Sequence, residues 1–232
     1  MISVTIPAFN EAENLKALFT SLTQSRYKDY EVIIVDNNST DDTAAIAEKY
    51  GARVIHEKRM GIGICRNRGL KAAKGKIIAS LDADSVLCKG WLDRVALNFE
   101  IDPELKALSG PSYYGNVIYD LWSSFTRLPN NFTSITGFAY LGANNSAYDK
   151  EYLKEIGGWS EDLDEEMDIS LKLFLKHAKI KYDWNLRVKL SDRRFKQIGF
   201  LKTISGWSFN SVKAIFGYKS DLSGYSIWRK KK

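Results

Sequence analysis

The sequence predicts an α/β fold: a mostly parallel sheet with helices on both faces, followed by a basic, amphipathic helical tail. Three observations support this prediction. Four short β-branched stretches alternate with segments of helical periodicity within the first 81 residues, as in consecutive βαβ units. Polar residues follow three of these stretches. Residues 187–232 carry 12 Lys or Arg but only 2 Asp or Glu, whereas the remainder holds 22 basic and 26 acidic residues.

The first predicted strand covers residues 2–6 and leads directly into a helix. We expect Pro7 to end the strand, because proline has no backbone N–H for the ladder. Asn10 is the predicted cap of the helix, with Glu13 three residues later in the arrangement of a capping box. The polar segment 7–11 is therefore predicted to be a loop at the carboxyl end of this strand.

Three further strands are predicted at residues 31–35, 52–55 and 77–81, each a short run rich in β-branched side chains. A Gly-rich entry followed by helical spacing predicts a helix over residues 61–74. Because a helical segment separates each strand from the next, the four strands should lie parallel in one sheet.

Three of the predicted strands end in polar residues, at segments 7–11, 36–39 and 82–85. The carboxyl ends of parallel strands meet at one edge of an open sheet, where ligands bind. Asp82 and Asp84 offer two hard oxygen donors there, which suit Mg²⁺ or Mn²⁺ shared with a phosphate group. Taken alone, this Asp-x-Asp is equally compatible with an acidic turn.

In the second half of the chain, helices are predicted over residues 89–100 and from Asp164 onward. Strands are predicted around the pair Gly110-Pro111 and over residues 180–190. Acidic residues that open a helix are also favoured by the helix dipole, so the cluster that begins at Asp164 does not by itself indicate a catalytic site.

Several classes of protein are excluded by motifs that the sequence lacks. No Gly-x-Gly-x-x-Gly follows the first strand, and Gly61-Ile62-Gly63 is too short to serve as one, which argues against a dinucleotide dehydrogenase. No P-loop signature is present either. Cys65 and Cys88 have no partner spacing, and the chain begins on a strand without a basic and apolar leader, so we expect a cytoplasmic protein without disulfides.

Four motifs, in this order, resemble those of the GT-A glycosyltransferases of family 2, which include dolichyl-phosphate mannosyltransferases and polysaccharide-building enzymes. The motifs are Ile6-Pro7-Ala8-Phe9-Asn10-Glu11, Val35-Asp36-Asn37-Asn38-Ser39-Thr40-Asp41-Asp42-Thr43, Arg66-Asn67-Arg68-Gly69 and Leu81-Asp82-Ala83-Asp84. The resemblance implies a Rossmann-like catalytic domain over residues 1–190. Residues 1–100 would bind the nucleotide sugar, residues 101–190 the acceptor, and residues 191–232 would form an extension.

The resemblance also implies a role for each matched residue toward a nucleotide-diphosphate sugar, linked to UDP or GDP. Asp36 would bind the donor base, Asp82 would lie near the ribose, and Asp84 would bind Mn²⁺ or Mg²⁺. The other residues implied to contact the donor are Pro7, Ala8, Phe9, Asn10, Glu11, Asn38, Gly61, Gly63, Arg66 and Ala83.

Members of the family usually carry Glu-Asp at the acceptor-side helix, where the Asp is the catalytic base. This chain has Glu165-Glu166, so Glu166 is the predicted base, with Glu165 and Asp168 as alternatives. The implied reaction is an inverting transfer of one sugar to a hydroxyl or phosphate acceptor, including lipid-linked ones. Polymer synthesis is not expected, because the sequence has neither the Gln-x-x-Arg-Trp motif nor the transmembrane bundle typical of processive synthases.

The tail is predicted to contact an anionic membrane at its cytoplasmic face, because its aromatic and basic residues suit an interfacial helix. Its apolar positions are Ile198, Leu201, Ile204, Trp207, Phe209, Val212, Ile215 and Phe216. Arg193 and Arg194 are predicted to hold a lipid phosphate. The alternative is a helix packed on the domain with a solvated basic end. No nucleic-acid-binding module is recognised, so nucleic acid is not an expected partner.

Two other functions are compatible with parts of the sequence. A nucleotidyltransferase that forms sugar nucleotides has a similar sheet but needs a Gly-rich basic loop after the first strand, and segment 7–11 is not such a loop. A catalytically degenerate module that only binds nucleotide sugars is supported by the altered Glu165-Glu166 pair alone.

Overall fold

A computed structural model describes residues 1–126 and 138–219 of the 232-residue chain. The strands in these two ranges are β1 (Ile2–Ala8), β2 (Tyr30–Asp36), β3 (Arg53–His56), β4 (Ile77–Leu81), β5 (Val86–Leu87), β6 (Ala107–Ser109), β7 (Ser112–Tyr113), β8 (Asn145–Asp149), β9 (Ile180–Tyr182) and β10 (Val188–Lys189).

The helices of the same two ranges are α1 (Ala12–Thr23), α2 (Thr43–Lys49), α3 (Ile62–Ala72), α4 (Trp91–Ile101), α5 (Val117–Thr126), α6 (Lys150–Glu155), α7 (Glu165–Leu175), α8 (Arg193–Ile198) and α9 (Phe200–Ile215). Within the described part of the chain, no helix combines the length and the apolar character needed to cross a bilayer.

The central sheet has seven strands in the order β3-β2-β1-β4-β8-β6-β9. The first four strands of this order run parallel, which confirms the α/β prediction. β8 runs antiparallel between β4 and β6, so this half of the sheet is mixed. A second, small sheet has the order β5-β10-β7.

Helices cover both faces of the central sheet, as predicted. One core contains buried residues of α1 and α4, such as Leu18 and Leu92, together with Ile6 of β1. The other core contains residues of α3 and α7, such as Leu70 and Ile169. Apolar side chains on both faces explain why the central strands are almost continuously hydrophobic rather than alternating.

Pro7 does not end the first strand, contrary to the sequence-based prediction, because β1 continues to Ala8. The carbonyl of Ala8 accepts a hydrogen bond from the Asn37 N–H at 2.8 Å on the β2 side. The backbone polar groups of adjacent strand residues point to opposite neighbouring strands, so the backbone nitrogen of Pro7 points to the β4 side. Pairing with β4 already stops at Thr5, and the missing N–H of Pro7 therefore leaves no ladder bond unmade.

Asn10 is also not the helix cap that the sequence indicates. α1 begins at Ala12, whose N–H donates to Asp41 Oδ2 at 3.3 Å, so the carboxylate comes from a distant loop. Asn10 instead adopts a left-handed backbone conformation, with φ of 53°. Its Oδ1 accepts a hydrogen bond from the Thr40 N–H at 2.8 Å. The side chain thus connects the loops that follow β1 and β2.

The single strand predicted over residues 180–190 is two strands in two different sheets, β9 and β10. The chain turns between them at Asp183, whose carboxylate accepts hydrogen bonds from Arg94 of α4 at 2.6 and 2.7 Å. Asn98 of the same helix donates to Asp183 as well, at 3.2 Å. Contacts from α4 therefore interrupt a stretch that local sequence alone identifies as continuous.

The C-terminal helices pack on α5 through a cluster of rings. We call Tyr114, Tyr119, Trp122, Phe195, Phe200 and Trp207 the aromatic cluster; their ring centroids lie 4.4–6.4 Å apart. Phe195 is almost fully buried within it. Of the predicted tail, α8 and α9 thus contact the domain through the rings of Phe195, Phe200 and Trp207, while its basic end, residues 229–232, lies outside the described residues.

Gly63, at the start of α3, lies directly against the loop that follows Trp159. A Cβ atom at this position would stand 1.9 Å from the carbonyl oxygen of Ser160. Asn67 of the same helix fastens this loop with two hydrogen bonds, to the carbonyl and from the N–H of Trp159, at 2.7 and 3.0 Å. The absence of a side chain at Gly63 therefore allows α3 to approach the segment that leads into α7.

We predict that Gly63→Ala lowers the free energy of unfolding by roughly 1–3 kcal/mol, because the added methyl group forces backbone atoms apart. The matched control is Gly206→Ala in α9, where nothing lies within 4 Å of the new Cβ. This control should be neutral or stabilising by up to about 1 kcal/mol. Urea denaturation measures both, and equal stability of the Gly63→Ala variant and the native protein would contradict the close packing.

Candidate active site

A crevice lies at the carboxyl ends of β1, β2 and β4, where the predicted polar segments lie. β2 and β3 lie on one side of β1, whereas β4 lies on the other, so the strand order reverses at β1. In open α/β sheets such a reversal separates neighbouring loops and opens a binding crevice. Pro7 and Ala8 form the last residues of β1 at this edge, both buried, and Phe9 follows half-buried.

Hydrogen bonds join the loops after β1 and β2 into one wall of the crevice. The Asn10 N–H donates to Ser39 Oγ at 2.9 Å, and the Glu11 N–H donates to Thr43 Oγ1 at 2.8 Å. Together with the bond from Thr40 to the Asn10 side chain, these contacts fix the backbone of residues 10 and 11. The wall is therefore built before any ligand binds.

Asp36, the predicted base-binding carboxylate, is buried at the end of β2, and its Oδ2 lies 3.0 Å from His56 Nδ1. Beside it, Asn38 donates to the Lys58 carbonyl at 3.1 Å. The Gly61 N–H donates to Asn37 Oδ1 at 3.3 Å. The structure thus brings the predicted residues of segments 36–39 and 61–63 together and adds His56, for which the sequence offers no motif.

Arg66 of α3 lies beneath the acidic end of β4, with only 1% of its side chain exposed. Its Nη1 donates to Ser80 Oγ at 2.7 Å and its Nη2 to Asp82 Oδ1 at 2.8 Å. Its Nε lies 3.9 Å from Oε1 of Glu165. Arg66 therefore links Asp82, just after β4, with the acidic start of α7. Ala83, between Asp82 and Asp84, is buried.

Asp84 shares the crevice with other carboxylates. Burial, together with the nearby carboxylates of Asp82 and Glu11, raises its pKa to about 7, although Arg193 and Arg194 oppose the shift. Arg193 Nη2 donates to Glu11 Oε1 at 2.6 Å and lies 3.9 Å from Asp84 Oδ2. The predicted metal ligand is thus a carboxylate whose surroundings favour an additional positive charge.

A divalent cation fits this site only with help from a ligand. Across residues 1–126 and 138–219, no group of three His, Cys, Asp or Glu side chains could hold a metal ion. Mg²⁺ and Mn²⁺, however, commonly bind one or two protein carboxylates together with water and substrate phosphates. The carboxylate oxygens of Asp84 fit that arrangement as metal ligands, with a phosphate-bearing ligand supplying the remaining oxygens.

The start of α7 carries the three predicted candidates for the base. Glu166 accepts two hydrogen bonds, from Tyr140 Oη at 2.6 Å and from the Ala143 N–H at 2.8 Å. Asp168 instead accepts from the Ser160 N–H at 3.1 Å and pairs with Lys172 Nζ at 2.8 Å. Asp168 thereby holds the turn before α7.

Two of these carboxyl groups have strongly raised proton affinities. Burial raises the pKa of Glu166 to about 8, with Glu165 and Asp164 adding to the shift. Burial likewise raises the pKa of Glu165 to about 7, although Arg66 opposes that shift. Tyr140, which stabilises the Glu166 carboxylate, was missed by the sequence analysis; its one signal is its position just before the Gly142-Ala143-Asn144-Asn145 segment.

Arg193 and Arg194, both predicted to bind a lipid phosphate, lie in different surroundings. The guanidinium of Arg194 lies over the ring of Trp207, 5.6 Å from its centroid, at the aromatic cluster. Arg193 instead reaches the carboxylates of Glu11 and Asp84 in the crevice. The structure therefore associates Arg193 with Glu11 and Asp84 rather than with a separate acceptor surface.

Comparisons with known proteins agree with this geometry. The sequence profile described as Glycosyl transferase family 2 matches residues 3–157. An uncharacterized glycosyltransferase of Mycobacterium bovis is 36% identical over 104 residues, which cover 45% of this chain and 46% of the relative. Poly-beta-1,6-N-acetyl-D-glucosamine synthase of Staphylococcus epidermidis is 26% identical over 196 residues, which cover 78% and 48%. The chain therefore spans about half the length of these curated relatives.

Two solved structures share the fold. One is mannosyltransferase PcManGT from Pyrobaculum calidifontis in complex with GDP-Man and Mn²⁺, with a TM-score of 0.71 and 18% identity, covering 95% of this chain and 65% of that chain. The other is S. aureus TarS 1-349 in complex with UDP-GlcNAc, with a TM-score of 0.63 and 22% identity, covering 82% and 58%. The likeness confirms the predicted GT-A, Rossmann-like fold.

We predict that the protein loses stability as the pH rises, because Glu166 binds a proton more tightly folded than unfolded. Its pKa rises from 4.5 to about 8 on folding, so its contribution is fully present below pH 4.5 and lost as the pH rises through 8. Urea unfolding between pH 5 and 8 measures this slope. Glu166→Gln should flatten it by up to about 1.4 kcal/mol per pH unit.

The matched control for this measurement is Glu151→Gln on α6, which removes a carboxylate that is 77% exposed. This variant should keep the slope of the native protein. A Glu166→Gln curve that runs parallel to the native curve would show that Glu166 is not the group responsible.

Proposed function

The chain belongs to glycosyltransferase family 2, and on that premise we propose that it transfers one sugar from a nucleotide-diphosphate sugar to a hydroxyl or phosphate acceptor. One observation carries this proposal. Asp84 is suited to bind a phosphate-bound cation, and Glu166 is suited to accept a proton. The two carboxylates belong to one acidic region, because Arg66 contacts both Asp82, near Asp84, and Glu165, next to Glu166. A transferase needs both kinds of group, one for the leaving diphosphate and one for the acceptor.

The donor would lie along the wall formed by the loops after β1 and β2. Asp36 and Asn38 are proposed to face the base, which is linked to UDP or GDP, and Asp82 to lie near the ribose. Asp84 would hold Mn²⁺ or Mg²⁺, and such an ion supplies positive charge that neutralises a departing diphosphate. The similar mannosyltransferase that binds GDP-Man and Mn²⁺ supports this assignment.

On the acceptor side, Glu166 is the proposed base. Tyr140 and the Ala143 N–H hold its carboxylate in place, and a pKa of about 8 lies in the range of an efficient general base near neutral pH. For a hydroxyl acceptor, Glu166 takes the proton while the acceptor oxygen forms a bond to the anomeric carbon. The bond from that carbon to the diphosphate breaks, the diphosphate leaves with the electron pair, and the configuration inverts.

The proposed setting is the cytoplasmic face of an anionic membrane, where a lipid-linked acceptor would be within reach. α9 directs Phe200 and Trp207 toward the aromatic cluster. Its outer face, continued by Phe216 just after the helix, includes apolar residues that are each more than half exposed: Leu201, Phe209, Val212, Ile215 and Phe216. Lys202 and Lys213 lie on the same helix. Apolar and basic residues combined in this way suit an interfacial helix.

The transfer reaction is tested by two variants that should fail in different ways. Asp84→Asn removes the charge that holds the cation, so it should abolish transfer and the Mn²⁺ dependence of donor binding. Glu166→Gln should retain Mn²⁺-dependent donor binding but lose transfer by roughly 10²–10⁴-fold, the usual contribution of a general base. Transfer is measured with UDP- and GDP-sugars, binding by calorimetry, and the product anomer by NMR.

Circular dichroism should show that both variants remain folded. Native turnover in Asp84→Asn would refute the role of Asp84. Native kcat in Glu166→Gln would transfer the role of the base to Glu165, and retention of the anomeric configuration would exclude the single displacement.

Membrane contact is tested by sedimentation with vesicles that contain anionic lipid. The native protein should bind, and the double variant Leu201→Glu, Phe216→Glu should bind at least 10-fold more weakly, because both side chains belong to the outer face of α9. The matched control is Leu97→Glu on α4, which is 52% exposed but outside this face. Equal binding by the native protein and the double variant would reject α9 as the contact.

A further inference from the structure

Arg193 connects the C-terminal segment to the donor crevice. Its Nη2 lies 2.6 Å from Glu11 Oε1 and 3.9 Å from Asp84 Oδ2. The three side chains are 27%, 12% and 22% exposed, respectively, so solvent screens their interaction only weakly. Arg193 and Glu11 are 182 residues apart in the sequence. A contact between such distant charged groups at the predicted metal ligand calls for a functional explanation.

The crevice needs a positive charge when no donor is bound. Asp82, Asp84 and Glu11 place three carboxylates near one another, and burying such groups without a counter-ion is costly. Arg193 provides that charge at the position closest to both Glu11 and Asp84. A divalent cation bound to Asp84 would supply the same charge, so the two cations compete for one carboxylate.

We propose that Arg193 is a resident counter-ion of the donor crevice, which pairs with Glu11 and Asp84 before donor binds and turns to the donor's diphosphate once a divalent ion occupies Asp84. This inference rests on the proposed function. A guanidinium suits the second partner as well as the first, because its planar set of N–H groups matches both carboxylate and phosphate oxygens. Asp84 would thus exchange the Arg193 guanidinium for a divalent ion, and the diphosphate would then contact both cations.

The exchange requires movement of one side chain rather than of the whole segment. Phe195, two residues further on, is almost fully buried in the aromatic cluster, and Arg194 lies over Trp207. These contacts hold α8 in place against the domain. Rotation about the side-chain bonds of Arg193 alone can therefore carry its guanidinium from Glu11 toward a phosphate group in the crevice.

This role has a consequence that a purely structural role lacks. A guanidinium 3.9 Å from Asp84 Oδ2 repels an incoming divalent ion. Arg193 should therefore weaken metal binding when no donor is present, yet strengthen the binding of a nucleoside diphosphate when metal is present. Its removal should change the two affinities in opposite directions.

The test measures both affinities in the 232-residue chain. Mn²⁺ binding without nucleotide is followed by the EPR signal of free Mn²⁺, and UDP and GDP binding at saturating Mn²⁺ by calorimetry. Arg193→Ala should bind Mn²⁺ at least 3-fold more tightly and the preferred nucleoside diphosphate at least 10-fold more weakly than the native protein. Arg193→Lys, which keeps the positive charge, should have affinities for Mn²⁺ and for the nucleoside diphosphate between those of Arg193→Ala and the native protein.

The matched control is Lys196→Ala, which removes a 69%-exposed cation of the same helix and should leave both affinities unchanged. Weakening of both affinities in Arg193→Ala, or tightening of neither, would overturn the inference. A native protein that binds neither UDP nor GDP with Mn²⁺ would instead refute the proposed donor, and the inference would fall with it.

Discussion

The candidate site depends on the ion pairs that the buried guanidinium of Arg66 forms with Asp82 and Glu165. Its side chain is almost completely removed from solvent, and a buried charge is stable only when it is paired and hydrogen-bonded. Burial by itself lowers the pKa of Arg66, but Asp82 and Glu165 more than compensate and raise it above its ordinary value. Because Asp82 directly follows β4 and Glu165 opens α7, one cation holds the two sides of the crevice together.

The close approach of α3 to the Trp159 loop makes this pairing possible. Gly63 permits the contact, and the side chain of Asn67 fastens it. Glu165 and Glu166 are both buried, but their neighbours differ. The Arg66 guanidinium lies near Glu165, whereas two neutral hydrogen-bond donors, Tyr140 Oη and the Ala143 N–H, contact Glu166. The difference explains why the pKa is higher for Glu166, although burial raises both. Adjacent residues of one motif can thus serve separate purposes, one structural and one chemical.

The C-terminal segment contributes to the crevice as well as to the surface. Phe195 and Trp207 anchor it in the aromatic cluster. Arg193 enters the crevice and pairs with Glu11, and apolar side chains on the outer face of α9 remain exposed. Contacts across residue 190 therefore join the predicted catalytic domain to the predicted extension. The C-terminal segment would thus connect the proposed donor site directly to the proposed membrane surface.

The parallel strands and the polar residues at their ends could be predicted from the sequence, because β-branched runs and the residues that follow them are local features. The resemblance of the sequence motifs to those of the family identified Asp36, Asp84 and Glu166 as candidates. The sequence did not reveal that Asn10 joins two loops, that residues 180–190 divide between two sheets, or that Arg193 pairs with Glu11. Each of these outcomes depends on partners far along the chain, and local periodicity carries no information about which distant groups burial will bring together.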